Sequence, residues 1–267
     1  MVTFKKIALI CGILIYIAIS FILNAVLFIY PLIRFRIISR WTRIFSRFLR
    51  FILRIKIDIK GDPLVLNENG NFIISNHVSY LDGVILSSLF AVVFVSKSQV
   101  RNWLLFGWMS EAGGTIFVDR QRKNKSVDYI RKTTRMLKRK VNVLVFPEGT
   151  STNGERLLPF QTIHFQSPLN SKSPILPVAI KYTKINAADI NRDDRDKICW
   201  YGQIKFYKHL LGVLELSNIQ AEVVIYPKIY LAESQDTGRS RKEIGEALYK
   251  IILNNYPLFK PSASAFG

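Results

Sequence analysis

The sequence is poor in the residues that build disulfide frameworks and transition-metal sites. Its 267 residues include two cysteines, Cys11 and Cys199, and three histidines. Two cysteines cannot supply a disulfide framework or a thiolate metal cluster, and three histidines disfavour a multi-histidine site. The chain also lacks the Gly-x-Ser-x-Gly sequence that marks the nucleophile of many serine hydrolases. We therefore expect an activity that needs neither a metal ion nor a resident cofactor.

Acidic residues are scarce as well: 19 Asp and Glu stand against 38 Lys and Arg, which gives a formal net charge of +19. The hydrophobic fraction of 49% excludes intrinsic disorder, because so much apolar surface favours a folded core. A basic and apolar chain is expected to meet nucleic acid or an anionic membrane surface. Two stretches hold most of the excess charge, residues 1–60 with 11 basic and one acidic side chain and residues 119–140 with 10 and two.

No charged residue occurs in the 27-residue run 7–33. Roughly 20 apolar residues are enough for a helix to cross a bilayer. The run is too long for the apolar region of a cleaved signal peptide and has no clear Ala-x-Ala site. We therefore predict a retained membrane segment. Charge alone leaves open whether 7–33 crosses fully or dips in and pairs with residues 34–56 as a helical hairpin.

A stripe of arginines follows this apolar run. They fall at positions 36, 40, 43, 47, 50 and 54, a spacing that places all six on one face of a helix beside aromatic and aliphatic residues. This pattern predicts a basic amphipathic helix over 34–56, lying among anionic lipid head groups. A helix that packs on the protein's own core with its basic face in water remains the alternative. By the positive-inside tendency, the globular part should face the cytoplasm.

The rest of the chain alternates between short apolar runs and helix-length segments. Strands are predicted at 72–75, 91–95, 116–118, 141–146, 175–180 and 221–230. Helices are predicted at 82–90, 124–140 and around 244–252, and 186–200 is predicted to be a surface loop. This order predicts an α/β domain over 57–258, with a largely parallel sheet flanked by helices, between an anchor at 1–56 and a tail at 259–267.

A histidine and an aspartate follow the first of these predicted strands, in the segment Asn76-His77-Val78-Ser79-Tyr80-Leu81-Asp82. A spacing of five does not share a helix face, so we expect His77 in a loop and Asp82 in the first turn of the next helix. Asp82 can then accept a hydrogen bond from one imidazole nitrogen while the other takes a proton, as in a general base. A histidine that merely satisfies a cap carboxylate would show the same spacing.

Two further blocks carry groups suited to an anionic ligand. Phe146-Pro147-Glu148-Gly149-Thr150 is a strand end that enters a turn, where exposed N–H groups can cradle an anion. Arg120 comes just after the predicted strand 116–118 and could hold a phosphate in a bidentate contact. Two alternatives stay open here. Arg120 could belong to the basic start of the next helix, and Glu148 could bond to local backbone.

Four blocks in this order resemble the glycerolipid acyltransferase family, which includes 1-acylglycerol-3-phosphate and other lysophospholipid acyltransferases. The blocks are Asn76-His77-x-Ser79-x-x-Asp82, Gly114-x-Ile116-Phe117-x-Asp119-Arg120, Phe146-Pro147-Glu148-Gly149-Thr150 and the apolar strand Ile175-Leu176-Pro177-Val178. The resemblance covers roughly residues 57–255, and the first and third blocks together are its most specific part.

The resemblance implies a membrane-bound enzyme that moves a fatty acyl group from acyl-CoA or acyl-carrier protein to a lysolipid hydroxyl. It implies that His77 deprotonates this hydroxyl, that Asp82 orients the imidazole, and that Arg120 and the turn Glu148-Gly149-Thr150 hold the acceptor head group. The leading acceptor is 1-acylglycerol-3-phosphate in phospholipid biosynthesis. One departure weakens it: Ser151 stands where lysophosphatidate enzymes commonly have a phosphate-binding arginine.

Other readings remain. The segment around Asn153-Gly154 and Leu157-Leu158-Pro159-Phe160 resembles relatives that acylate other lysolipids, including lyso-ornithine lipid. His164 has no role in the family pattern, and we interpret it as structural or peripheral. A membrane-tethered nucleic-acid binder that uses residues 119–140 is the alternative from a different class. It is disfavoured because that basic stretch holds a single aromatic residue, Tyr129, on which bases could stack.

Overall fold

The computed structural model describes residues 2–103, 106–118, 123–231 and 240–259, with the side chains of residues 32 and 123–125 not described. The helices are α1 (Val2–Val26), α2 (Pro31–Ile52), α3 (Tyr80–Leu89), α4 (Phe106–Ala112), α5 (Lys123–Lys138), α6 (Gln166–Ser171), α7 (Phe206–Glu215) and α8 (Arg241–Leu253). The strands are β1 (Ile55–Lys60), β2 (Phe72–Ser75), β3 (Val92–Lys97), β4 (Ile116–Val118), β5 (Asn142–Val145), β6 (Ile175–Ile185), β7 (Ala188–Asp189) and β8 (Ile219–Ile225). Short 3₁₀ turns occur at Pro63–Asn67, Ser98–Asn102, Thr162–Phe165 and Arg195–Lys197.

The strands form one sheet in the order β1-β8-β6-β2-β5-β3-β4, with β7 paired to β6. The pairs β1/β8, β2/β6, β2/β5, β3/β5 and β3/β4 are parallel, whereas β6/β8 and β6/β7 are antiparallel. The predicted α/β class with a largely parallel sheet is therefore confirmed. Since β2, β5, β3 and β4 run in one direction, the chain segments after them meet at one edge, where ligands bind in open α/β sheets.

Side chains of the central strands alternate between two cores, one on each face of the sheet. On β2, Ile73 packs with α1, α2, α3 and α7, while Phe72 and Ile74 pack with α5 and α8. All four residues of β2 are buried. Burial on both faces explains why the strand reads in the sequence as a continuous apolar run and not as an alternating pattern.

The boundary between the helical segment and the sheet domain lies earlier than predicted. α2 ends at Ile52, and Arg54 adopts a left-handed φ of 53° that turns the chain into β1. The prediction of a helix to residue 56 was therefore wrong, and Arg54 does not share the helical arginine face. In β1, Ile55, Ile57 and Ile59 alternate with charged residues, a period of two that we did not interpret as a strand.

The first two helices form a hairpin, one of the two arrangements that charge left open. The Tyr16 ring stacks on Phe45 with centroids 4.3 Å apart, and the Tyr16 hydroxyl lies 2.9 Å from the Thr42 hydroxyl. α1 is also tied to the rest of the molecule near each end. The Lys5 ammonium donates to the Leu216 carbonyl at 2.6 Å, and the Asn24 amide donates to the Ala112 carbonyl at 3.1 Å.

The apolar face of α2 packs inside the protein, as in the alternative that the sequence left open. Its buried residues are Ile38, Ser39, Thr42, Phe45, Ser46, Leu49 and Ile52. Ser46 accepts a hydrogen bond from Ser87 of α3 at 2.7 Å, so this face contacts the sheet domain. The sheet domain therefore covers the middle of this face, whereas Ile44 and Phe51 of the same helix are 56% and 77% exposed. Arg36, Arg40 and Arg47 are exposed on the other side. Two of them also contact the domain, since Arg36 donates to the Arg139 carbonyl at 3.0 Å and Arg47 to the Ser88 carbonyl at 3.2 Å.

The predicted surface loop 186–200 is exposed along most of its length but ends inside the protein. Ile198 and Cys199 are fully buried, and the Trp200 N–H donates to the Val78 carbonyl at 2.8 Å. Residues 192–197 are all charged and therefore indicate an exposed segment, so the sequence did not reveal that the two residues after them are buried. Trp200, the last residue of this segment, lies in the wall of a cavity beside His77.

Candidate active site

His77 and Asp82 meet where β2 ends and α3 begins. The fully buried strand stops at Ser75, His77 lies in the connecting loop, and Ser79 caps the helix. Asp82, at the third helical position, completes a capping box by accepting the Ser79 N–H at 2.9 Å. The loop position of His77 and the first-turn position of Asp82 are those that the spacing predicts.

Asp82 is fully buried and accepts four hydrogen bonds. Its Oδ2 lies 2.9 Å from His77 Nδ1 and also accepts the N–H groups of Val78 at 2.7 Å and Ser79 at 2.9 Å. Its Oδ1 accepts the hydroxyl of Tyr182 at 2.7 Å. An acceptor at Nδ1 fixes the proton there, which leaves Nε2 as the nitrogen able to accept one. Sequence reasoning missed Tyr182, because it lies 100 residues from Asp82 on β6.

The His77 ring is held flat against Phe146, with centroids 4.0 Å apart and planes 13° from parallel. About 20% of the side chain is exposed. The backbone of His77 is held as well, since its N–H donates to Glu148 and its carbonyl accepts the Thr152 N–H at 3.0 Å. Within the described residues, Nε2 has no hydrogen-bond partner. The ring can therefore present this nitrogen to a reactant without moving.

Glu148 fastens the turn after β5 to the histidine loop. Its Oε1 accepts the N–H of His77 at 2.7 Å and its Oε2 accepts the N–H of Leu158 at 2.9 Å. The side chain is only 4% exposed and lies outside the walls of both cavities described below. Burial raises the pKa of Glu148 to about 8, against the opposing effect of the two N–H donors. Both carboxylate oxygens are thus occupied by backbone N–H groups, and Glu148 positions the loop that carries His77.

The remaining residues of the predicted head-group turn lie at the open edge of the sheet. Gly149 has a φ of +76°, a left-handed conformation that favours glycine, and its N–H closes the turn onto the Phe146 carbonyl at 3.0 Å. Gly149, Thr150 and Ser151 line a polar cavity. Ser151 donates its hydroxyl to the Trp200 carbonyl, so this position is tied to the end of segment 186–200. Arg120, the other predicted head-group residue, lies outside the described residues.

An apolar cavity of about 290 Å³ lies on one side of His77, between the α1–α2 hairpin and the sheet domain. Its walls include Leu9 and Ile13 of α1, Phe45 and Leu49 of α2, Leu81 and Val84 of α3, Phe94 of β3, Phe106 and Met109 of α4, and Phe206 and Leu210 of α7. Such a lining suits a hydrocarbon chain, because it offers van der Waals contact and few hydrogen-bond partners.

A second cavity of about 290 Å³ also borders His77 and is more polar. Besides the turn residues, its walls include Lys97, Gln99, His164, Trp200 and Tyr201. His164 is fully buried and lies 2.6 Å from the Tyr129 hydroxyl through Nδ1. Of the two interpretations of His164, structural or peripheral, this burial and contact favour the structural one. Chain folding brings His164 to the cavity from a turn that no motif marks.

The two cavities share part of their walls. The shared residues are His77, Val95, Ser96, Val100, Trp103, Phe146 and Trp200. A molecule with an apolar chain and a polar head can therefore place the junction of the two beside the imidazole. Within the described residues, no group of three or more His, Cys, Asp or Glu side chains is arranged to hold a metal ion. The arrangement offers acid–base chemistry at an apolar–polar junction.

Comparison with known proteins places the chain in a family. The acyltransferase family model matches residues 56–181, which contain both members of the His77–Asp82 pair and the Glu148 turn. The chain is 31% identical over 230 residues to a lyso-ornithine lipid O-acyltransferase of Rhizobium meliloti (strain 1021), covering 80% of this chain and 75% of that protein. The chain belongs to the acyltransferase family.

Other relatives of this acyltransferase include a 1-acyl-sn-glycerol-3-phosphate acyltransferase of Neisseria gonorrhoeae, 26% identical over 73% of this chain and 74% of that protein. Among solved structures, the 1-acyl-sn-glycerophosphate (LPA) acyltransferase PlsC from Thermotoga maritima matches with a TM-score of 0.59, over 94% of this chain and 95% of that one. At 16% sequence identity, this likeness concerns the fold, which includes the segment before β1 as well as the sheet.

Proposed function

We propose that this acyltransferase moves a fatty acyl group from a thioester, acyl-CoA or acyl-carrier protein, to the free hydroxyl of a lysolipid. The observation that supports this most directly is the position of the His77–Asp82 pair at the junction of the apolar and polar cavities. Both reactants combine a hydrocarbon chain with a polar group next to the reacting bond. The proposed reaction therefore occurs where the two kinds of cavity meet.

In the proposed mechanism, His77 Nε2 accepts the proton of the lysolipid hydroxyl as its oxygen attacks the thioester carbonyl carbon. Asp82, held 2.9 Å from Nδ1, stabilises the imidazolium that forms. The tetrahedral intermediate then expels the thiolate, and the imidazolium returns the proton to it. The products are the acylated lipid and a free thiol.

The identity of the acceptor rests on the polar cavity and on the relatives. Ser151 occupies the wall where a phosphate-binding arginine is common, which removes one guanidinium from the site. The Rhizobium meliloti relative, 31% identical to this chain, is a lyso-ornithine lipid O-acyltransferase. We therefore propose lyso-ornithine lipid as the preferred acceptor. 1-Acylglycerol-3-phosphate is the second candidate, supported by Lys97 in the same wall and by the Neisseria relative.

We further propose that the enzyme works on one face of a membrane, with the α1–α2 hairpin as its contact. α1 is apolar and long enough to cross a bilayer by length and composition. One side carries exposed apolar residues such as Phe4, Phe21 and Val26, each at least 67% exposed. Its ties to the domain at Lys5 and Asn24 lie about 28 Å apart along the helix axis. Because the domain holds α1 near both ends, we propose that α1 lies in one leaflet and does not cross the bilayer.

Thiol release from acyl-CoA tests the proposed function. We expect thiol release that depends on added lysolipid, with lyso-ornithine lipid giving the higher kcat/KM and water alone giving almost none. Thiol release without any lysolipid would indicate a hydrolase and contradict the proposal. A mobility-shift assay with single-stranded and duplex DNA tests the alternative from the other class, for which the basic helix α5 would be responsible.

A further inference from the structure

The carboxylate of Asp82 has two oxygens with different surroundings. Oδ2 accepts three donors, including His77 Nδ1, whereas Oδ1 accepts the Tyr182 hydroxyl at 2.7 Å. Asp82 and Tyr182 are both fully buried. Burial, and after it the charge of Asp82, raises the pKa of Tyr182 well above its ordinary value. The phenol therefore stays protonated and donates to Oδ1 wherever the enzyme is folded.

This bond fixes the rotation of the carboxylate. The donors at Oδ2 are the loop itself, namely His77 and the two N–H groups that follow it. All three belong to the segment between β2 and α3 and meet at one oxygen of the carboxylate. Tyr182 comes from a strand of the sheet and is the donor at the other oxygen, so the carboxylate is held from two independent elements. A donor from a rigid element is what holds a catalytic pair in one geometry.

The strand reaches Asp82 because β6 is longer than its neighbour. β2 pairs with the first part of β6, where Ser75 lies opposite Val178. Beyond this point the Asn76 side chain continues the hydrogen bonds between β2 and β6. Its Nδ2 donates to the Ile180 carbonyl at 3.0 Å, and its Oδ1 accepts the Ile180 N–H at 2.8 Å. Tyr182 follows two residues later, on the same face of the strand. Asn76 thereby keeps β6 in register beneath the histidine loop.

We propose that Tyr182 is a positioning residue of the acyl transfer, acting through Asp82 to hold the His77 imidazole in its reactive orientation. Tyr182 lines neither cavity, so a reactant bound in them would not touch it. Its effect should therefore appear in turnover and not in substrate binding. The inference rests on the proposed roles of His77 and Asp82, and its test is separable from theirs.

The test is a double-mutant cycle in the full-length enzyme, with kcat and KM measured for donor and acceptor. Tyr182→Phe should lower kcat about tenfold, a loss typical when groups that orient catalytic histidines in metal sites are removed. Both KM values should stay nearly constant. In an Asp82→Asn background, Tyr182→Phe should change kcat by no more than about twofold, the scatter of independent sites. An equal loss in both backgrounds, or a normal kcat in the single variant, would overturn the proposal.

Tyr249→Phe is the matched control. Its hydroxyl donates to the Leu157 carbonyl at 3.1 Å, away from Asp82, so its loss removes one tyrosine hydrogen bond and should leave kcat unchanged. If Tyr182→Phe does not fold, 3,5-difluorotyrosine at position 182 keeps the ring but donates more strongly. A changed kcat at constant KM then supports the proposal, and an unchanged kcat overturns it. Near-normal turnover of the His77→Ala variant would instead contradict the proposed function itself.

Discussion

The two sides of the site are built by different forces. On the polar side, the loops that carry His77 and Glu148 are held by hydrogen bonds of 2.7–2.9 Å to the buried carboxylates of Asp82 and Glu148. On the apolar side, Tyr16 stacks on Phe45 within the α1–α2 hairpin, and aliphatic side chains of the hairpin belong to the same core as those of the domain. Hydrogen bonds fix direction and distance, whereas apolar contact is not directional. The polar side is thus suited to aligning reacting atoms, and the apolar side to accepting a chain at variable depth.

Removing the base should cause the largest effect, because it acts on the directional side. We expect His77→Ala to reduce kcat by about 10²–10⁴, the usual contribution of a general base. Asp82→Asn should also reduce kcat strongly, since an amide cannot stabilise an imidazolium. Both variants should keep the wild-type circular dichroism spectrum. Asp128→Asn, on the surface of α5, is the control for an aspartate without a catalytic partner. Near-normal turnover by both site variants would refute the mechanism.

A guanidinium in the polar cavity should shift the choice of acceptor. Ser151→Arg adds a charge-assisted contact to phosphate worth about 1.5–3 kcal/mol, or about one to two decades in relative efficiency. We expect kcat/KM for 1-acylglycerol-3-phosphate to rise relative to lyso-ornithine lipid. The measurement is the ratio of the two efficiencies in both enzymes. A flat ratio would show that position 151 does not face the head group.

A larger side chain in the apolar cavity should lower kcat/KM for long acyl chains more than for short ones. Val84 lies in the cavity wall on α3, and Val84→Phe would occupy space that a chain needs. The loss of room for one or two methylenes is worth roughly 1–3 kcal/mol, so kcat/KM for the longest acyl chains should fall about tenfold or more. Short chains should be nearly unaffected. A uniform loss over all chain lengths would mean that the cavity does not hold the chain.

Glu148 gives the polar side a pH-dependent stability. Because burial raises its folded-state pKa to about 8, the folded protein binds the proton more tightly than the unfolded chain does. Its contribution to the free energy of unfolding is therefore full below the ordinary glutamate pKa and is lost as pH rises towards 8. The slope is at most about 1.4 kcal/mol per pH unit. Glu148→Gln should flatten this slope, measured by urea unfolding between pH 5 and 8, and the exposed Glu246→Gln should not.

The exposed arginines of α2 should have the smallest effect. Each basic residue near an anionic surface contributes about 1 kcal/mol, so Arg40→Gln with Arg47→Gln should weaken binding to phosphatidylglycerol vesicles by one order of magnitude or somewhat more. The apolar face of α1 should keep the variant bound at low salt. Lys242→Gln with Lys250→Gln, on α8, is the charge-matched control. Equal losses in both double variants would remove the special role of the hairpin.

Local patterns determined much of the architecture. The continuous apolar run 72–75 and the periodic positions of α5 and α8 specify their elements directly, because each depends on residues close in sequence. The five-residue spacing of His77 and Asp82 likewise specified a loop-to-helix pair, since a capping position fixes where the first turn points. The arginine stripe predicted the helix α2, but it did not predict that the apolar face of this helix contacts the sheet domain.

Tertiary structure decided the contacts between residues that lie far apart in the chain. It assigned the apolar face of α2 to the sheet domain, placed both carboxylate oxygens of Glu148 on backbone N–H groups, and brought Tyr182 to Asp82 across 100 residues. The physical reason is that a buried polar group needs a partner, and folding takes that partner from whichever strand passes nearby. The sequence predicted the residues that we propose for acyl transfer, and the sheet determined which side chains contact them.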